Sequence, residues 1–140
     1  MTARGKARKR ALDILYSADL RGVSPVVVLA EGPISEGAAK AQPRNPYIAT
    51  LVEGVAAHQA RIDDLLSTYS SGWALDRMPA VDRNVLRIGV FELLWCDDVP
   101  DAVVIDEAVG LARGLSTDES PAFVNGVLAR ILDLRPRLAV

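Results

Sequence analysis

Apolar residues recur at helical spacing along most of the chain, and the strict alternation typical of β-strands is nearly absent. Near the amino terminus this spacing predicts a helix from about Arg4 to Leu20. Its buried stripe would consist of Ala7, Ala11, Ile14, Leu15 and Ala18. Tyr16 falls roughly opposite that stripe, on the same side as Lys9.

The middle of the chain contains an irregular connection followed by the longest predicted helix. Residues 22–45 are interrupted by several glycines and prolines, although Ser24 followed by Pro25 predicts a short helix through about Glu31. Asn45–Pro46 then opens a helix that ends near Tyr69. Its buried face would comprise Ile48, Leu51, Val52, Val55, Ile62, Leu65, Leu66 and Tyr69.

Three further helices are predicted in the carboxy-terminal half. Pro79 leads into a helix ending near Trp95 that is apolar on most sides, so we expect it to be central. A second helix runs from about Val103 to Arg113 and is ended by Gly114. Ser120–Pro121 opens the last one. The buried stripe of this last helix would be Val124, Val127, Leu128, Ile131 and Leu132.

The fold class expected from these patterns is all-α, in a single domain over residues 1–140, with helical halves at about 4–70 and 79–133. A chain of this length can bury a sizeable core without disulfides or metals. Cys96 is the only cysteine, which fits a reducing compartment. No apolar run is long enough to span a bilayer, so we expect a soluble cytoplasmic protein with no membrane partner.

Charge is distributed unevenly along the chain. Five of the 16 basic residues fall within the first ten positions, which contain no acid, although the whole chain has a net charge of −2. These five are Arg4, Lys6, Arg8, Lys9 and Arg10. Because the basic run continues into an amphipathic helix, it favours a polyanion such as nucleic acid. From charge alone, a solvated tail is an equal alternative, and Tyr16 could either stack on a base or pack on a neighbouring helix.

No catalytic pattern is found in the sequence. There is no phosphate-binding glycine loop, zinc spacing or nucleophile elbow, and the lone His58 and Cys96 make a poor dyad. The aspartates around Pro100 lack the spacing of a calcium loop. We therefore expect a protein that is not an enzyme and has no cofactor or metal. Phe123 and Asn125 flank the buried stripe near the start of the last helix, where an anion is favoured.

Several blocks of the sequence, in order, resemble the NusB family of transcription antitermination factors. They are residues 8–16 (RKRALDILY), 81–88 (VDRNVLRI), 91–93 (FEL), Pro100, 105–109 (IDEAV) and 123–128 (FVNGVL). Together they cover most of the chain except residues 22–45. Gly110 departs from the family, since it lies mid-helix where a stronger helix former is usual.

The resemblance implies a fold of two packed three-helix bundles with an additional helix. It also implies binding of single-stranded boxA-type leader RNA together with NusE, a small-subunit ribosomal protein. The complex would join RNA polymerase during ribosomal RNA transcription, and a homodimer of the chain is possible.

The resemblance further implies the site residues. RNA would be contacted by Arg4, Lys6, Arg8, Lys9, Arg10 and Tyr16 on the first helix. Phe123 and Asn125 would form a second contact zone. Asp82 and Glu119 would lie near the surface that binds RNA or NusE.

Two other functions are compatible with the sequence. One is a helical adaptor that binds only protein, with its basic head against an acidic partner. The other is the RNA-binding module of a ribosomal RNA methyltransferase, against which the lack of a catalytic domain in 140 residues argues.

Overall fold

The computed structural model describes residues 2–32, 45–70 and 72–138. Within these ranges the chain is α-helical with no strand, which confirms the all-α class. The helices are α1 (Ala3–Arg21), α2 (Pro25–Glu31), α3 (Pro46–Tyr69), α4 (Ala80–Trp95), α5 (Asp101–Leu115) and α6 (Ser120–Leu134), followed by a 3₁₀ turn, Arg135–Arg137. Half of the predicted irregular connection, residues 33–44, lies outside the described residues.

Local capping fixes both ends of α1. The Thr2 hydroxyl accepts a hydrogen bond from the Gly5 N–H at 2.9 Å, satisfying one of the unpaired donors of the first turn. Gly22 ends the helix in the left-handed conformation, with φ 68°, which glycine adopts without a Cβ penalty. The predicted bounds of this helix therefore agree with the structure to within one residue.

The short helix α2 begins where Ser24 and Pro25 predicted it. The Ser24 hydroxyl accepts from the Val26 N–H, and none of the helix's residues is buried. A bidentate ion pair joins α2 to α1, in which Arg21 Nη1 and Nη2 each donate to one oxygen of the Glu31 carboxylate at 2.8 Å. These hydrogen bonds hold the pKa of the Glu31 carboxyl below its ordinary value.

The prediction for α5 was wrong at both ends. This helix begins at Asp101, two residues earlier than expected, because Pro100 supplies a carbonyl acceptor for the first turn. Gly114 does not end it, since the helix continues to Leu115 and the Ser116 N–H bonds to the Ala112 carbonyl.

The chain divides into two compact units, Met1–Ala57 and His58–Val140. The division falls inside α3 rather than after it, so the single domain and its two bundles stay predictions. In the first unit, α1 packs against α2. The predicted α1 stripe is buried in full, and the α3 part of the unit buries Tyr47, Ile48, Leu51, Val52 and Val55.

The second unit is built around α4, which packs against α5 and α6 while those two pack on each other. Every residue from 84 to 94 is buried, which confirms the prediction of a central helix. An alanine Cβ at Gly89 would lie 2.8 Å from Leu128 Cδ1, so the absent side chain permits close approach of α4 and α6. Buried Arg87 forms a bidentate pair with Asp63 of α3 at 2.8 and 2.9 Å.

No helix in the described ranges is both long and apolar enough to cross a bilayer.

Candidate nucleic-acid interface

The exposed face of α1 carries a basic cluster. Lys6 and Arg10 are exposed one turn apart, and Lys9 is half-buried on the same side of the helix. Lys9 Nζ lies 3.1 Å from the Asp13 carboxylate, four residues on, so part of its charge is compensated within the helix. Neither Lys6 nor Arg10 forms an ion pair with any residue that the structure describes. Their charges are therefore available to an anion.

Tyr16 lies on this same face, two turns after Lys9. Its side chain is 37% exposed, and a ring in that position can accept a stacked base. It therefore lies beside the cations rather than in the core of the first unit.

Arg4 and Arg8 lie on another side of α1, against the ring of Tyr47. Their guanidinium carbons are 4.3 and 5.7 Å from the ring centroid, within the range of cation–π attraction. Arg4 remains exposed, but only 3% of Arg8 is accessible. The expectation that Arg8 is displayed for RNA therefore does not fit its placement, because it falls on the buried stripe, four residues before Leu12 and seven before Leu15.

In the second unit, Phe123 and Asn125 lie on the first two turns of α6. Asn125 is exposed, and the half-buried Phe123 ring meets Trp73 edge to face, with centroids 4.8 Å apart. Glu119, just before the helix, is exposed. The predicted second contact zone is thus accessible, and its aromatic residue, Phe123, packs against Trp73.

Asp82 is placed differently from the surface position expected of it. Its side chain is fully buried at the start of α4 and accepts a hydrogen bond from the Ser116 hydroxyl. Its position three and four residues before the buried Val85 and Leu86 is a sequence signal for this burial. Asp82 therefore cannot contact a partner directly in this conformation.

The candidate residues are distributed over both units. The basic residues and Tyr16 belong to the first unit, whereas Phe123, Asn125, Asp82 and Glu119 belong to the second. Sequence reasoning missed Tyr47, because nothing in the local pattern indicates that an aromatic side chain 39 or more residues away would pack on two arginines.

The remaining polar groups do not assemble a metal centre in the described part of the chain. Asp101, one of the aspartates near Pro100, is held by Arg135 through hydrogen bonds of 2.8 and 3.0 Å. This pair lines a cavity of about 310 Å³ that also includes Cys96. His58 stacks on Trp95 with ring centroids 4.1 Å apart, which is a packing arrangement rather than a catalytic one.

Comparison with known proteins gives consistent matches over nearly the whole chain. Transcription antitermination protein NusB of a Nocardioides species is 63% identical over 99% of this chain and 100% of its own length. A solved structure of NusB from T. maritima has 34% identity and a TM-score of 0.79, covering 95% of this chain and 92% of that one. A solved complex of antitermination factors NusB and NusE with double-stranded RNA has 32% identity and a TM-score of 0.81, over 95% and 98% of the two chains. The NusB family model itself matches residues 5–133, and the chain belongs to the NusB family.

Proposed function

We propose that this protein is an RNA-binding transcription antitermination factor. It binds a boxA-type leader RNA together with NusE and acts on RNA polymerase during ribosomal RNA transcription. The observation that carries the proposal is the exposed basic face of α1, with Lys6, Arg10 and Tyr16, in a member of the NusB family. The similar solved complex of NusB, NusE and RNA supports the same partners.

Affinity arises from the phosphates. The side chains of Arg4, Lys6, Lys9 and Arg10 neutralise backbone charge and release counterions, which strengthens binding to any RNA without selecting a sequence. Lys9 contributes less than Lys6 or Arg10 because Asp13 competes for its ammonium group. Arg8 contributes through packing on Tyr47 rather than through a phosphate contact.

Selectivity arises from base contacts. Single-stranded RNA is distinguished by aromatic stacking and by polar contacts to base edges. Tyr16 and Phe123 provide rings for stacking, and Asn125 carries both a donor and an acceptor for a base edge. Function by binding accounts for these residues without a catalytic step.

The proposal is tested by fluorescence anisotropy across a salt series. Labelled boxA-like single strand, a scrambled strand and a boxA-containing duplex are each titrated with the protein, with and without NusE. Tightest binding to the boxA single strand, strengthened by NusE, is expected. Equal and salt-labile binding to all three RNAs would instead leave a non-specific basic patch.

Matched variants separate affinity from selectivity. Lys6→Ala with Arg10→Ala should reduce the salt slope by roughly 0.7 per lost single-strand phosphate contact, whereas Arg113→Ala, an exposed arginine on α5, should leave it unchanged. Phe123→Ala should weaken boxA binding more than scrambled-strand binding. An equal loss on both strands in a folded variant would remove Phe123 from base recognition.

The same function entails a cytoplasmic location, where nascent RNA is made. A homodimer is also proposed, and light scattering of the purified protein at increasing concentration tests it. A mass that stays at one chain throughout would exclude the dimer.

A further inference from the structure

A chain of three hydroxyl groups leads from the loop between α5 and α6 to the buried carboxylate of Asp82. Ser116 donates to Asp82 Oδ1, and Ser120 donates to Ser116 at 3.1 Å. Thr117 Oγ1 lies 2.8 Å from Ser120 Oγ. Because the single Ser120 proton is directed to Ser116, Thr117 must be the donor in that last bond. All three hydroxyls therefore point their protons along one line towards Asp82.

This chain joins segments that are distant in sequence. Asp82 lies in the first turn of α4, and its partner Ser116 is 34 residues further along the chain. Asp82 and Ser120 are both completely buried and Ser116 is partly buried, so water has little access to the Asp82 end of the chain, whereas Thr117 at the other end is exposed. The Thr117 N–H also bonds to Ser120 Oγ at 3.2 Å, which fixes the loop backbone.

The loop fixed in this way leads into the proposed second contact zone. Ser120 is the first residue of α6, and the Phe123 N–H bonds to the Glu119 carbonyl one turn later. Phe123 in turn rests against Trp73. The position of the loop thus determines where the exposed parts of Phe123 and Asn125 are presented.

We propose that Asp82 is a positioning residue, which acts through Ser116 and Ser120 to fix the α5–α6 loop and hold Phe123 against Trp73. Its effect on RNA binding rests on the proposed function, since it is transmitted through Phe123. The buried Asp82 Oδ2 has no hydrogen-bond partner within the described structure, so the carboxylate is retained without full local compensation. Burying Oδ2 without a partner costs free energy, while Oδ1 accepts the hydrogen bond from Ser116 of the loop. This arrangement fits a role of Asp82 in holding the loop rather than in contacting a partner at the surface.

The first test needs no RNA. In a Trp95→Phe background, Trp73 is the only tryptophan and reports on its contact with Phe123. Ser116→Ala and Asp82→Ala should both shift Trp73 emission and increase its quenching by acrylamide. Asp82→Asn keeps an acceptor oxygen for Ser116 and should give a smaller change. Thr68→Val, which removes a hydroxyl bond to the Asp64 carbonyl within α3, should give none. Trp73 emission unchanged by both Ser116→Ala and Asp82→Ala would overturn the inference.

The second test uses a double-mutant cycle with boxA RNA. Ser116→Ala should weaken binding roughly three- to tenfold, the loss expected for one hydrogen bond. In a Phe123→Ala background the same change should cost no further affinity, because the residue being positioned is gone. A full additional loss there would show that Ser116 acts by another route and would overturn the inference. If Trp73 responds but neither Ser116→Ala nor Phe123→Ala affects RNA binding, the positioning stands and the RNA role proposed for Phe123 fails.

Discussion

Replacing Gly89 by alanine places a methyl group against a fully buried leucine side chain. The new Cβ would lie 2.8 Å from Leu128 Cδ1 and 3.0 Å from Cδ2, so Leu128 or the helices must shift. Overpacking of this kind costs about 1–3 kcal/mol. Alanine is favoured over glycine in a helix by about 1 kcal/mol, which offsets part of that cost. We therefore expect Gly89→Ala to lower the free energy of unfolding by about 0–2 kcal/mol.

Gly110 provides the matched control. It lies in the interior of α5, and a Cβ there would meet nothing within 4 Å. Gly110→Ala should therefore raise the free energy of unfolding by up to about 1 kcal/mol. Urea unfolding followed by circular dichroism measures both variants, and the difference between them isolates the packing cost. Equal stabilisation by the two substitutions would refute the close contact of α4 and α6.

A double-mutant cycle of Gly89→Ala with Leu128→Ala tests whether Leu128 is the side chain that the new methyl group displaces. Leu128→Ala alone should cost about 2–5 kcal/mol, because it leaves a cavity in the second unit. In the Gly89→Ala background the cost should be smaller by about 1–3 kcal/mol, since the added methyl occupies part of that space. Additive effects would show that Leu128 is not the side chain that the methyl displaces.

Three further predictions concern charged side chains. Arg8→Ala should lower the free energy of unfolding by about 1–2 kcal/mol through lost packing on an aromatic ring, which thermal unfolding measures; unchanged stability would contradict its burial. Arg87→Ala leaves the Asp63 carboxylate without its bidentate partner and should cost about 3 kcal/mol in urea unfolding, whereas a loss below about 1 kcal/mol would contradict a buried pair. The pKa of the Glu31 carboxyl is lowered in the folded protein, so its ion pair with Arg21 stabilises α2 fully at pH values above the ordinary pKa of 4.5. This stabilisation is lost as the pH falls through the lower pKa of the folded state. NMR shifts of α2 should then move towards coil values in acid, and Arg21→Gln should abolish that pH dependence.

Helical periodicity was sufficient to predict most elements, because every described helix except α2 buries an apolar stripe that the sequence displays directly. The α5 bounds were missed since they depend on which carbonyls accept hydrogen bonds at Pro100 and Ala112, and a glycine alone does not decide this. The site residues were identified by type and family resemblance. Their burial was misjudged for Arg8 and Asp82, although Arg8 lies at helical spacing from the buried Leu12 and Leu15, and Asp82 from the buried Val85 and Leu86.

Other parts of the site depend on contacts that no local pattern encodes. The link from Ser116 to Asp82 and the edge-to-face contact of Trp73 with Phe123 join residues 34 and 50 positions apart. Both become visible only when the helices are packed, because helical spacing specifies a face but not the element that covers it. The proposed positioning role of Asp82 could therefore be inferred only from the structure.

The first turn of α1 has a further thermodynamic consequence. This turn contains no acidic residue, and its basic side chains, Arg4 and Lys6, lie at the helix end that already carries partial positive charge. Each cationic side chain there destabilises the helix by about 0.3–1 kcal/mol, and the hydrogen bond of the Thr2 cap offsets part of this cost. A bound phosphate reverses the sign of the interaction, so RNA binding and the ordering of this turn are linked. Substituting an acid at the exposed Lys6 would strengthen the free helix and weaken its complex, so stability and affinity are opposed at this end of the molecule.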